Sequence, residues 1–69
     1  MDLHPLKAIR KERGLSITAV AVRAHAAAGT IITIEKYNHN PRLETKQRLA
    51  DALGVSVESI WPAAVGTQG

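Results

Sequence analysis

The chain has 69 residues, no cysteine and a formal net charge of +3 at neutral pH. This length holds a single domain, the lack of cysteine excludes disulfides and thiolate metal sites, and no stretch approaches the roughly 20 apolar residues that span a bilayer. Charged residues also interrupt the N-terminus where a signal peptide would be apolar, so we expect a soluble, cytoplasmic protein whose positive charge favours a polyanionic partner.

The first two predicted elements are short amphipathic helices. Pro5 suits a first helical position and Gly14 ends the segment, which places helix 1 at about residues 5 to 13. Ser16 can cap helix 2, whose narrow apolar face continues to about Ala24. The small side chains on that face predict close packing against another helix.

The third segment, from Ala27 to Tyr37, is ambiguous in its local sequence. Residues 30 to 34 are all β-branched, and each costs about 0.5 kcal/mol in a helix relative to alanine, which favours a strand. A single strand would find no second strong strand in the chain, whereas Ile31 and Ile34 fit the buried side of a short helix. We therefore predict helix 3 in this segment.

Two further helices are predicted after a polar turn from Tyr37 to Pro41. Helix 4 extends over about Leu43 to Leu53, and Gly54 ends it in a left-handed conformation. Ser56 is predicted to cap a short helix 5 that continues to Trp61, with the indole in the core.

The predicted architecture is all-α, a compact five-helix bundle. We place the folded domain at residues 1–62 and expect residues 63–69 to form a flexible C-terminal tail, since that segment contains little that could anchor it.

The order of motifs along the chain carries a family resemblance. The motifs are Leu6, Ile9, Arg10, the turn from Arg13 to Ser16, Val20-Ala21, Thr30-Ile31, Ile34-Glu35, Asn40-Pro41, Leu43-Glu44-Thr45 and the segment from Leu49 to Val55. Over about Leu6 to Trp61 this set resembles the helix-turn-helix family of phage repressors, Cro proteins and xenobiotic-response-element-type bacterial regulators. The resemblance implies a lambda-repressor-like domain of a transcriptional regulator, not an enzyme, with helices 2 and 3 as the motif and helix 3 in the major groove of double-stranded DNA.

The resemblance also places the base-reading positions on helix 3. They fall on Ala28, Gly29 and Thr33, with Thr30 and Ile32 beside them. Ala28 and Gly29 cannot make the bidentate contacts that discriminate a base by about 1–3 kcal/mol. Two accounts stay open: methyl contacts to thymine, from Ile32 or Ala28, combined with readout of DNA shape, or a domain of low sequence discrimination.

Candidate phosphate contacts cluster after helix 3, where they resemble the backbone-clamping loop of the family: Lys36, Asn38, His39, Asn40, Arg42 and, a turn into helix 4, Lys46. Ile17 stands where the family often has a polar residue that contacts the DNA backbone. We interpret four further basic residues as solvated surface: Lys7, Lys11, Arg23 and Arg48. The resemblance further implies a structural ion pair between Arg10 and Glu35.

Two departures from the family concern the turn before helix 3. His25 stands where glycine is common, and Ala27 stands where a capping hydroxyl is common. Each departure is expected to cost about 1 kcal/mol.

No metal, cofactor or small-molecule ligand is expected, because the three histidines are far apart and no carboxylate pair has catalytic context. We expect a repressor-like homodimer that pairs through helix 5, with the surface from Leu53 to Trp61, and the C-terminal region. The alternative is an antitoxin-like or other protein-interaction module on the same scaffold, suggested by Ile17, Val22 and Ile32, which are predicted to face outward.

Overall fold

The computed structural model describes residues 4–62, which form five helices in chain order: α1 (Pro5–Glu12), α2 (Ile17–Ala24), α3 (Ala28–Tyr37), α4 (Leu43–Leu53) and α5 (Val57–Ile60). These residues contain no strand, so the all-α prediction is confirmed, including the helix at the ambiguous third segment. The first three residues of the predicted domain and the predicted tail at 63–69 lie outside the described residues.

Helices α1 and α2 begin and end as local chemistry dictates. The Leu6 backbone N–H donates to His4 Nδ1 at 3.0 Å, which caps α1 ahead of Pro5. The Ala19 backbone N–H donates to Ser16 Oγ at 3.0 Å, the cap that the sequence predicts for α2. At its other end α2 stops at His25, whose φ of +54° is left-handed, as the departure from glycine implied.

Helix α3 has little such local support. Ala27 stands at its N-cap position and provides no side-chain hydrogen bond, as expected for an alanine. The β-branched run is nevertheless helical, because Ile31 and Ile34 are both fully buried in the core. Burying a side chain of that size is worth about 1.5–3 kcal/mol, which exceeds the helix-propensity cost of any one β-branched residue. Packing therefore decides the conformation of α3.

The core lies where α2 packs against α3 and α4. Its largest fully buried side chains come from all five helices: Leu6, Val20, Ile31, Ile34, Leu49 and Ile60. Small residues on α2, such as Ala21 and Ala24, allow the neighbouring helices to approach closely.

The C-terminal end of the described chain packs against both α4 and the start of α1. Trp61 is buried as predicted, with the Lys46 Nζ 5.6 Å from its ring centroid and the His4 ring edge-on at 6.2 Å. The prediction that the Ser56 side chain caps α5 was wrong. Its hydroxyl lies 3.0 Å from that of Ser59 and makes no capping bond to the backbone.

Within residues 4–62, no single helix is long and apolar enough to cross a membrane. Helices α2 and α3 reach the required length and composition only when taken together, and the chain bends by 119° between them.

Candidate nucleic-acid interface

Helices α2 and α3 have the geometry of a helix-turn-helix motif. They are joined by the three residues His25, Ala26 and Ala27, and they are inclined to one another by 119°. Helix-turn-helix motifs typically join two helices at about 90–120° through a turn of three or four residues. The angle leaves one side of α3 free while its other side packs on the core.

A buried ion pair joins α3 to α1. Arg10 donates from Nε to Glu35 Oε2 at 2.8 Å and from Nη2 to Glu35 Oε1 at 3.1 Å, with the two side chains 9% and 6% exposed. The remaining Nη1 donates to the Leu15 carbonyl at 2.8 Å, at the start of the segment that leads into α2. Arg10 therefore fixes the positions of α1, α2 and α3 relative to one another, and the pair implied by the resemblance is present.

The outer face of α3 presents few hydrogen-bonding groups. Gly29 is exposed, and a Cβ at that position would meet nothing within 4 Å, while Ile32 is 41% exposed. Thr30 and Thr33 are half-buried, and the Thr33 hydroxyl donates to the Thr30 carbonyl at 2.9 Å. Ala28 is partly buried against the core. Of the predicted reading positions, Gly29 and Ile32 are therefore the exposed ones, and neither has a hydrogen-bonding side chain.

A shallow groove runs beside this face between α1, the start of α2 and α3. We call it the isoleucine groove; the residues that matter to it are Lys7, Ile17, Ile32 and Lys36, with the Arg10–Glu35 pair also in its lining. Ile17, predicted to face outward, is half-buried. Lys7 was interpreted as solvated surface, and its place in this groove had no local sequence signal, because only the packing of α1 on α3 brings it there.

His4 also lines the isoleucine groove. Burial lowers the pKa of its imidazole below the ordinary value, although the nearby Glu35 carboxylate acts in the opposite direction. A neutral ring agrees with the hydrogen bond that Nδ1 accepts from Leu6, since a protonated Nδ1 could not accept it.

The last turn of α3 and the segment after it present the predicted phosphate contacts to solvent. The exposed members are Lys36, Asn38, His39, Asn40 and Arg42. Asn38 ends α3 with a left-handed φ of +57°, and Pro41 is buried, which anchors the middle of the loop against the domain. The side chains on either side of Pro41 are therefore held at the surface next to α3.

Lys46 differs from the other predicted phosphate contacts. It is 7% exposed and its ammonium group lies over Trp61, so it belongs to the packing between α4 and the C-terminal end of the described chain. Position in the sequence could not show this, because the contact depends on how the end of the chain folds back onto α4.

Most of the apolar residues predicted to form the dimer surface are buried in the core of the domain itself. Leu53, Ile60 and Trp61 are buried, and the side chains that α5 and its cap leave exposed are Ser56, Glu58 and Ser59. Val22, by contrast, is 69% exposed on α2. Within residues 4–62 the large apolar side chains that are exposed lie on α2, α3 and α4 and not on α5: Val22, Ile32, Tyr37 and Leu43.

No group of three or more histidine or carboxylate side chains within residues 4–62 is arranged to hold a metal ion.

Comparison with known proteins identifies related sequences. A family model described as helix-turn-helix matches residues 6–60. The immunity repressor protein of Bacillus phage phi105 is 40% identical over 55 residues, which make up 80% of this chain and 38% of that protein. The HTH-type transcriptional regulator DdrOP3 of Deinococcus deserti is 34% identical over 55 residues, 80% of this chain and 43% of that protein. The chain thus spans about two fifths of the length of these relatives.

Proposed function

The chain belongs to the helix-turn-helix family and has its all-α, lambda-repressor-like fold, and from this premise we propose that it is the sequence-specific DNA-binding domain of a cytoplasmic transcription regulator that represses. The observation that carries the proposal is the 119° angle between α2 and α3, which leaves one face of α3 free beside an exposed basic loop. In this proposal α3 lies in the major groove of double-stranded DNA, and α2 lies across the backbone.

The last turn of α3 and the loop after it, from Lys36 to Arg42, are proposed to bind the phosphates on one side of the groove. Their exposed ammonium, guanidinium, imidazole and amide groups are all able to donate to phosphate oxygens. Such contacts set the position of the protein on the duplex and carry no sequence information directly, so sequence preference would depend on α3.

Selection of duplexes from a randomised DNA pool tests the proposal. We expect a winning sequence that binds about a thousandfold or more tightly than a scrambled control, with affinity falling steeply between about 50 and 200 mM salt. Arg42→Ala should weaken binding to all sequences alike and reduce the salt slope by about one. Arg48→Ala is the matched control, because it removes the same charge from an exposed arginine on α4 that pairs with Glu44.

We also propose that two copies bind a two-fold site and pair through α5 and the C-terminal region. A single domain of this type buries only about 600–1,000 Å² on DNA, which limits the specificity that one copy can reach. Sedimentation of the protein on its winning duplex measures the stoichiometry. Two copies on a palindromic winner support pairing, and one copy on an asymmetric winner contradicts it.

A protein-interaction module, antitoxin-like or otherwise, is the second candidate. The exposed Val22 on α2 favours it, since exposed apolar surface often marks protein contacts. No enrichment of any duplex in the selection would support this candidate over DNA binding.

A further inference from the structure

The first two turns of the outer face of α3 lack the groups with which proteins usually identify bases. Bidentate readout needs an amide, guanidinium, ammonium or carboxylate side chain, and Ala28, Gly29 and Ile32 provide none; the exposed Lys36 lies in the last turn of the helix. The Thr33 hydroxyl already donates to the Thr30 carbonyl, so its proton is engaged within the helix. Apart from the ammonium group of Lys36, what remains available on this face is the aliphatic surface of Ile32.

In the major groove the matching apolar group is the C5-methyl of thymine. We infer that the isoleucine groove binds a thymine-bearing edge of the duplex, with Ile32 and Ile17 against thymine methyl groups and Lys7 and Lys36 on the flanking phosphates. This inference rests on the proposed function and adds to it the base that is read and a phosphate contact on α1.

Charge supports DNA as the occupant of this groove. The two lysines lie on opposite elements, Lys7 on α1 and Lys36 on α3, and both line the same groove. The carboxylate in the groove lining, that of Glu35, is neutralised by two hydrogen bonds from Arg10 and does not repel a polyanion. Aliphatic surface that shares a groove with two cations suits a base edge that is flanked by phosphates.

The first test replaces thymines of the selected duplex, one at a time, by deoxyuridine, which removes the methyl group and keeps the hydrogen-bonding pattern. We expect at least one position at which this weakens binding about fourfold, the effect of one buried methyl group. Ile32→Ala or Ile17→Ala should abolish that loss, each at the thymine that its own side chain contacts. Val22→Ala is the matched control, since it truncates an exposed aliphatic side chain outside the groove and should retain the full loss.

The outcomes separate the inference from the proposed function. If a specific duplex is selected but every uracil substitution is neutral, or if every loss persists in both Ile32→Ala and Ile17→Ala, thymine reading is wrong and DNA binding stands. A selected sequence that contains no thymine would likewise show that thymine reading is wrong while DNA binding stands. If no duplex is selected, the proposed function fails and this inference fails with it.

The second test concerns Lys7. Lys7→Ala should reduce the slope of log affinity against log salt by about one. Lys11→Ala provides the control, because Lys11 lies one turn further along α1, is exposed and is outside the groove lining. Equal slopes for the two variants would overturn the assignment of Lys7 to a phosphate.

Discussion

Helices α2 and α3 are the two halves of one motif, but different interactions hold them in place. Helix α2 begins at a serine cap and has small apolar residues toward its neighbours. Helix α3 begins at an uncapped alanine, contains five consecutive β-branched residues and depends on buried isoleucines and on Arg10. The helix with the proposed reading face is thus stabilised by its contacts with the core and with Arg10, and its exposed side chains take no part in those contacts.

The largest expected effect on stability comes from breaking the ion pair between Arg10 and Glu35, which holds α3 against α1. Arg10→Ala leaves the Glu35 carboxylate buried and unpaired, and it should lower the free energy of unfolding by about 3–5 kcal/mol. Urea denaturation followed by the fluorescence of the single, buried tryptophan measures this loss.

The chain offers a matched control for that measurement. Arg48 and Glu44 form a pair of the same length, 2.8 Å, but their side chains are 49% and 71% exposed, so Arg48→Ala should cost only about 0.3–0.5 kcal/mol. The double change Arg10→Met with Glu35→Leu should recover most of the loss, because no charge is left buried. Equal effects of Arg10→Ala and Arg48→Ala would show that α3 does not depend on the buried pair.

A smaller loss is expected where α2 is locally capped. Ser16→Ala removes the acceptor for the Ala19 N–H and should cost about 1 kcal/mol. Ser56→Ala is the comparison variant, since Ser56 occupies the equivalent position on α5 without making a capping bond, and it should cost less. The same denaturation assay measures both, and the reverse order would contradict the assignment of the α2 cap.

The converse change should stabilise α3. Ala27→Ser introduces an acceptor at an N-cap position whose backbone is already extended, and we expect a gain that does not exceed about 1 kcal/mol. A loss of stability would mean that the turn before α3 cannot accommodate a capping side chain, and the contrast with α2 would then arise from the turn and not from the missing hydroxyl.

The smallest effect concerns the cap of α1. Because the pKa of His4 is lowered in the folded state, the unfolded chain takes up its proton first as the pH falls. Stability should be fully present above about pH 6.5 and should decrease below it, until the folded state also binds the proton. Denaturation between about pH 7.5 and 5.5 measures this, and His4→Asn, which keeps a capping acceptor, should flatten the profile. An unchanged profile in His4→Asn would assign the pH dependence to other groups.

Sequence determined the elements whose signals are local. Helix α1 begins at Pro5, α2 is capped by Ser16 and α4 ends at Gly54. Because these backbone and capping effects act within a few residues, the bounds of the three helices could be predicted closely from the sequence. The proposed function, DNA binding by a transcription regulator, came from the family resemblance of the ordered motifs, because the helix pattern alone could not indicate it. The resemblance also implied the Arg10–Glu35 pair, which joins residues 25 positions apart.

Tertiary structure decided the remainder. It made α3 a helix against its local preference, buried Lys46 over Trp61, and brought Lys7 from α1 to the same groove as Ile17 and Ile32. Each of these depends on residues far apart in the chain, and their free energies exist only once the helices have packed. Local propensity, at a few tenths of a kcal/mol per residue, is too weak to specify such contacts, whereas the burial of one isoleucine side chain is worth several times as much.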